Sequence, residues 1–334
     1  MNKITTDKLQ KVCNAFDLGS LFKFESISEG VLNVNYKIYT DKGEFFIKSV
    51  RNKIVKYLDT INFTESYMKE NGIPAIVMLK TKTEDLILEV GGEIFTAYPF
   101  IESDRTHQYS NSDYFKMGQV LAKIHRVTKD QIPDSCEFKD IKIDDTDGVV
   151  EALSSYKDRI IKKEKGIDET DALFLEYINR KLDFLSNMEN SNEIFNHQPH
   201  ILHGDYHSGN LLFDNTSREI IGVCDWEKTV KGSRAYEVAR SSLYLFENFE
   251  EDLDKFNTYI KGYQSVYLIS IQELYEGFVF MLKTIAKSKW IEEFYYDNNN
   301  DRSNRFIKND IIRLSYFKPL LTDGGEEFFR GLFR

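Results

Sequence analysis

The sequence is poor in cysteine and proline, with three Cys and five Pro in 334 residues. Cys13, Cys136 and Cys224 are far apart, odd in number and form no C-x-x-C unit. Neither a disulfide framework nor a cysteine zinc site is therefore indicated. Long apolar runs are also missing; none approaches the roughly 20 residues needed to cross a bilayer. The stretch Met1 to Asp7 is polar and lacks the apolar core of a secretion signal. These absences lead us to expect a soluble, cytoplasmic, reduced protein. Positive charge is in deficit, with 44 Lys+Arg against 54 Asp+Glu and a formal net charge of −10. Duplex nucleic acid is thus excluded as a partner, because such affinity comes largely from cations that neutralise phosphates. A polybasic membrane-surface role falls with it.

What is present is enough to build a core: 41% of residues are hydrophobic and 14% aromatic, which excludes general disorder. The length is about twice that of a typical domain of roughly 150 residues, so two lobes are expected. Up to about residue 100 the pattern favours strands, at Leu21 to Ile27, Val34 to Thr40, Glu44 to Val50, Leu86 to Val90 and Glu93 to Tyr98. Between them one helix fits Asp59 to Glu70, stopped by Asn71-Gly72 with Pro74 beyond. After Glu102 the period becomes helical. Met117, Val120, Leu121 and Ile124 share a face, as do Leu175, Ile178, Leu182 and Leu185. Further helices are expected near Asp252 to Tyr267 and Ile271 to Trp290. A strand-like interruption runs from Ile201 to Asp225, and Asp297 to Asp301 is a polar loop. The expected architecture is α+β, a small antiparallel sheet with one helix followed by a larger helical lobe, divided near residue 101.

The densest polar cluster is His203-Gly204-Asp205-Tyr206-His207-Ser208-Gly209-Asn210, on a turn before the apolar Leu211-Leu212-Phe213. Such a loop suits the projection of oxygen ligands into a cleft. Asp225 follows directly after the apolar strand Ile220 to Cys224. A carboxylate at the end of a buried strand is costly unless paired, hydrogen-bonded or metal-bound. Asn210 and Asp225 together offer two hard oxygen ligands. Mg²⁺ takes one or two protein carboxylates and leaves its other positions to water and phosphate. Asp205 is then free to meet a substrate hydroxyl. Upstream, Lys48 shares a strand face with Phe46 and Val50. It either finds an anion such as a nucleotide phosphate or holds its head in water at a sheet edge. Ser28-Glu29-Gly30 reads as a hairpin turn or as a loop over phosphates.

Lys48, His203-Gly204-Asp205 with Asn210, and Asp225-Trp226-Glu227 together resemble the aminoglycoside phosphotransferase and choline kinase family. The order of lysine, catalytic loop and metal aspartate parallels the protein-kinase set. Ser28 to Tyr36 is similar to the corresponding loop of homoserine kinases of this superfamily, and Gly118 to His125 resembles the helix before the catalytic loop. The resemblance implies a protein-kinase-like two-lobed fold, with residues 1–101 holding ATP and 102–334 carrying the catalytic loop and acceptor site. It implies a small-molecule kinase that moves the ATP γ-phosphate to a hydroxyl of an amino alcohol, a homoserine-like compound, a sugar or an aminoglycoside. Under it Lys48 and the Gly30 loop contact phosphates, and Tyr98, Pro99, Phe100 and Ile101 form the hinge that meets adenine. Asp205 orients the acceptor hydroxyl or takes its proton, and Asn210 and Asp225 hold Mg²⁺. Glu65 is the acid available to pair with Lys48, about one turn closer to Gly72 than the family pattern. Glu237 stands where Asp is more usual, and we read it as structural.

Two rival readings are weighed against this one. His197, His200, His203 and His207 with Asp205 would make a zinc hydrolase, which leaves Lys48, Asn210 and Asp225 without a role. Relatives such as spore-coat proteins use the same fold structurally, as weak or inactive kinases. The lysine, aspartates and asparagine that such proteins would lack are present here. The acidic balance modestly favours a neutral or cationic acceptor.

Overall fold

The computed structural model describes residues 4–27, 35–50, 52–104, 108–129, 136–141, 144–163, 166–187, 198–246, 249–293 and 304–333. The Gly30 loop with Val34, His197 and the polar run 297–301 lie outside the described residues. The chain forms two compact units. The first contains Met1–Gln108, Arg126–Lys139 and His203–Val230; the second contains Tyr109–His125, Asp140–Leu202 and Lys231–Arg334. The segment His203–Val230 therefore packs in one unit with the amino-terminal sheet.

In the first unit, helix α1 (Thr6–Ala15) precedes strands β1 (Leu21–Ile27), β2 (Asn35–Thr40) and β3 (Gly43–Val50). Helix α2 (Leu58–Glu70) follows, then β4 (Leu88–Val90) and β5 (Glu93–Pro99). The strands form one antiparallel sheet in the order β1-β2-β3-β5-β4. Strand periodicity places every second residue on one face. Tyr36, Ile38, Ile47, Phe95 and Ala97 thus pack into a core with Leu9, Val12, Cys13 and Phe16 of α1. Helix α1 was not anticipated, although its apolar residues recur at helical spacing and Thr5 caps it by accepting from the Lys8 N–H at 3.3 Å. The opposite face carries Asn35, Lys48 and Thr96 on a single rung of the ladder. Covering one face with α1 leaves this polar rung for chemistry.

Two further strands, Leu211–Phe213 and Ile220–Val223, pair as a hairpin, close to the strand pattern read from the sequence. The Asp214 carboxylate orders its turn by accepting from the Thr216 and Ser217 N–H groups. The hairpin joins the stretch after α2, where the Val223 N–H donates to Pro74 C=O at 2.8 Å and the Ile76 N–H to Val223 C=O at 3.1 Å.

The second unit is built largely of helices, among them Thr146–Ile161, Glu169–Ser186, Arg234–Leu245, Phe249–Gln264, Ile271–Lys287 and Asn304–Tyr316. Helix Asn111–Val127 approaches Phe249–Gln264 through a reciprocal pair of glycines. A Cβ on Gly118 would lie 2.1 Å from the Tyr259 carbonyl oxygen, and one on Gly262 would lie 2.1 Å from that of Phe115. The expected face of helix Glu169–Ser186 is rotated: Phe174, Tyr177, Ile178, Lys181, Phe184 and Leu185 are buried, whereas Leu175 and Leu182 are only partly so. This face carries Lys181 into the interior, where its ammonium is fully buried against the Glu292 carboxylate and the Ser288 carbonyl. No helix among the described residues is long and apolar enough to cross a membrane.

Candidate active site

The site residues that the structure describes all belong to the first unit, and three of its segments converge on them. Strand β3 supplies Lys48. Its Nζ lies 2.9 Å from Asp225 Oδ1 and 2.8 Å from Glu227 Oε1, joining positions 177 residues apart. Burial disfavours the ammonium, but the two carboxylates outweigh it and raise the Lys48 pKa. Reciprocally, burial works against the Asp225 carboxylate, and Lys48 still holds its pKa below the ordinary aspartate value. Asp225 adopts the left-handed conformation at φ 63° and ψ 58°. Such a backbone is strained for a residue with a Cβ and recurs at functional sites.

Glu65 does not serve as the ion-pair partner of Lys48. It is 1% exposed on α2, with Oε2 accepting from the Met78 N–H at 2.9 Å and Oε1 from the Tyr98 hydroxyl at 3.3 Å. Burial pushes its pKa up to about 8, against these two donors. A buried carboxyl kept neutral has no need of the lysine, which is drawn to the two acids after the hairpin.

The loop from His203 to Asn210 is held from beneath by His203. This fully buried ring accepts from the Asp205 N–H through Nδ1 at 3.2 Å, which fixes Nε2–H as the donor to Cys224 C=O at 2.9 Å. Gly204 has φ +77°, and a Cβ there would lie 2.0 Å from the Lys228 carbonyl oxygen. Only glycine permits this approach. The Asn210 amide donates to the Asp205 carbonyl at 2.9 Å, so its Oδ1 is the atom that could hold a metal. The Cys224 N–H donates to Asn210 C=O at 3.0 Å, so Asn210 and Asp225 are fixed at neighbouring ends of the hairpin. Asp205 Oδ2 meets Lys228 Nζ at 2.9 Å and lies 3.9 Å from His207 Nε2.

The stretch from Tyr98 to Ile101 leaves β5 and is tied at both ends. The Phe100 N–H donates to Glu44 C=O at 3.2 Å, and the Asp104 N–H to Phe213 C=O at 3.0 Å. Lys37 Nζ sits 3.8 Å above the Phe100 ring. Pro99 lies on the exposed edge of the stretch and Ile101 is half-buried.

Sequence reasoning assigned no role to Glu227, Lys228 or Lys139. Lys139 donates to the Glu227 carbonyl at 3.2 Å and sits 4.1 Å over the Tyr57 ring. Three lysines thus gather on the turn Asp225–Lys228. The Asp225-Trp226-Glu227 motif was a visible signal for Glu227; nothing local marked the partners of the two lysines. Among the described residues no group of three or more His, Cys, Asp or Glu is arranged to hold a metal ion. His200 Nδ1 donates to Gln198 C=O at 2.9 Å, and both ring nitrogens of His203 are committed to the loop, so these nitrogens are taken.

This fold occurs in phosphotransferases with known structures. Spectinomycin phosphotransferase, solved with ADP and spectinomycin, matches with a TM-score of 0.69 at 16% identity, over 95% of this chain and 99% of that one. A microcompartment-associated aminopropanol kinase matches with a TM-score of 0.65 at 12% identity, over 96% and 99%. In sequence, homoserine kinase of Agrobacterium fabrum is 24% identical over 279 residues, 81% of this chain and 80% of that protein. The profile of the phosphotransferase enzyme family matches residues 23–269. The chain belongs to that family.

Proposed function

We propose that this protein is an ATP-dependent kinase of small molecules, moving the γ-phosphoryl group of ATP to a hydroxyl of its acceptor. The observation that carries the reading is the meeting of Lys48, Asp205, Asn210 and Asp225 around one hairpin. Acceptors of the amino-alcohol type, homoserine included, are favoured, since the relatives are named homoserine kinase and aminopropanol kinase.

Asn210 Oδ1 and the ionised Asp225 form a two-oxygen donor set, too sparse for zinc and suited to Mg²⁺. Bound there, Mg²⁺ would neutralise phosphate charge. The remaining work falls to the chain. Lys48 exchanges a carboxylate for a phosphate oxygen. The hinge from Tyr98 to Ile101 offers backbone groups to the base. The Asp205 carboxylate accepts the acceptor hydroxyl's hydrogen bond, so the oxygen faces phosphorus. Because the transition state is loose, positioning and charge neutralisation matter more than proton removal.

The test is ADP release with Mg·ATP across homoserine, amino alcohols, sugars and aminoglycosides. Asp225→Ala is expected to abolish transfer, and Asp205→Asn to lower kcat by about 10²–10⁴-fold. Full transfer by Asp225→Ala would sink the reading.

A further inference from the structure

We propose that Lys228 is a further catalytic residue, a mobile cation that leaves Asp205 for the transferring phosphoryl group. The inference rests on the kinase reading above and adds a residue that reading does not use. Lys228 Nζ lies 2.9 Å from Asp205 Oδ2, yet the lysine is 59% exposed while the aspartate is 15% exposed. A pair whose lysine stays largely in solvent contributes little to stability, so fold maintenance does not account for it. The backbone at Lys228 is placed with care: its carbonyl oxygen occupies the space that Gly204 alone can leave open, one residue before Asp205. The turn Trp226–Lys228 thereby fixes the root of the side chain beside the aspartate and leaves the ammonium free to swing.

The two site lysines divide the work. Lys48 is buried between Asp225 and Glu227, on the side that receives the nucleotide. Lys228 stands at Asp205, where the acceptor hydroxyl must arrive. When that hydroxyl takes the Asp205 oxygen, the ammonium loses its counterion. The nearest new anion is the phosphoryl group in flight. In the transfer the acceptor oxygen forms its bond to phosphorus as the bond to the ADP oxygen breaks, and the hydroxyl proton passes to Asp205. Charge spreads over three equatorial oxygens, and a cation pre-positioned within one side-chain swing stabilises them without solvent reorganisation. A chain of net charge −10 gains from supplying that cation locally.

The experiment compares wild type, Lys228→Met and Lys228→Arg for binding of Mg·ADP alone and of Mg·ADP with aluminium fluoride, a planar phosphoryl mimic, each in the presence of the acceptor selected by the ADP-release screen. Wild type is expected to bind the fluoride complex more tightly than ADP. Lys228→Met should lose about 10–100-fold of that extra affinity, with ADP affinity and melting temperature unchanged, and Lys228→Arg should recover most of it. In turnover, Lys228→Met should lower kcat by about 10²-fold at unchanged ATP KM. Undiminished affinity of Lys228→Met for the fluoride complex would overturn the proposal, as would an effect confined to acceptor KM. Asp225→Ala is the control for the underlying reading: if it loses nucleotide binding while Lys228→Met behaves as wild type, only the role of Lys228 fails. If Asp225→Ala also binds normally, the kinase site itself is misplaced.

Discussion

At Glu65 a carboxyl group lies inside α2 with the Met78 N–H and the Tyr98 hydroxyl as donors, and its pKa rises from the ordinary 4.5 to about 8. An acid whose folded pKa exceeds its unfolded one takes up a proton on folding. Stability from this group is therefore fully present below pH 4.5 and is lost progressively as pH climbs to about 8. The slope approaches about 1.4 kcal/mol per pH unit between those limits. Glu65→Gln, which imitates the neutral acid, should flatten that part of the profile, as read by urea unfolding at a series of pH values. An unchanged slope in the variant would show that Glu65 is ionised in the fold. The residue itself was visible in the sequence as the acid on the predicted helix, and Lys48 as a cation on an apolar strand. Their separation was not visible. Whether an acid keeps its proton depends on how completely other segments bury it, and Lys48 finds its partners 177 residues away.

At the scale of elements, helix Glu169–Ser186 carries Lys181 into the interior, where it meets Glu292 with neither side chain exposed. Burial raises the Glu292 pKa even beside that lysine, so the carboxylate depends on its partner. Lys181→Ala should cost about 3–5 kcal/mol in denaturant unfolding, because it leaves an unpaired acid in the core. The double variant Lys181→Met with Glu292→Leu should recover most of that loss, since replacing both charges with apolar groups removes the penalty. If the two single losses simply add in the double variant, the charges act independently. This pair also explains why the helix was legible and its orientation was not. A 3.6-residue pattern of leucines marked the element, but a lysine reads as solvent-facing unless its partner from a distant segment is known. Strands of the first unit were easier. Turns at Asp41-Lys42-Gly43 and Gly91-Gly92 bound short alternating runs, and the observed β2, β3 and β5 begin or end within a residue of the expected limits. Helix α1 escaped because a short amphipathic segment with a polar outer face looks like a solvated terminus until a sheet is placed against it.

At the scale of the whole molecule, charge and organisation point different ways. The net charge of −10 favours neutral or cationic acceptors, yet Lys48, Lys139 and Lys228 all reach the turn after the hairpin. An acidic chain can thus carry a site where three lysines balance Asp205, Asp225 and Glu227, and its sum does not forecast the charge that a site will accept. Every residue proposed for nucleotide and metal lies in Met1–Gln108 or His203–Val230, hence in the first unit. A ligand that binds only the folded state stabilises it by mass action, by about 2.7 kcal/mol at a hundred times its Kd. That stabilisation suppresses opening of the segments that hold the ligand. Mg·ADP should therefore slow amide hydrogen exchange most in β3, in the loop from His203 to Asn210 and in the turn Asp225–Lys228. Asp225→Ala should lose that protection at the same nucleotide concentration. Protection spread evenly over helices Glu169–Ser186 and Asn304–Tyr316 instead would mean that the nucleotide is held elsewhere, and that the four polar residues around the hairpin serve another purpose.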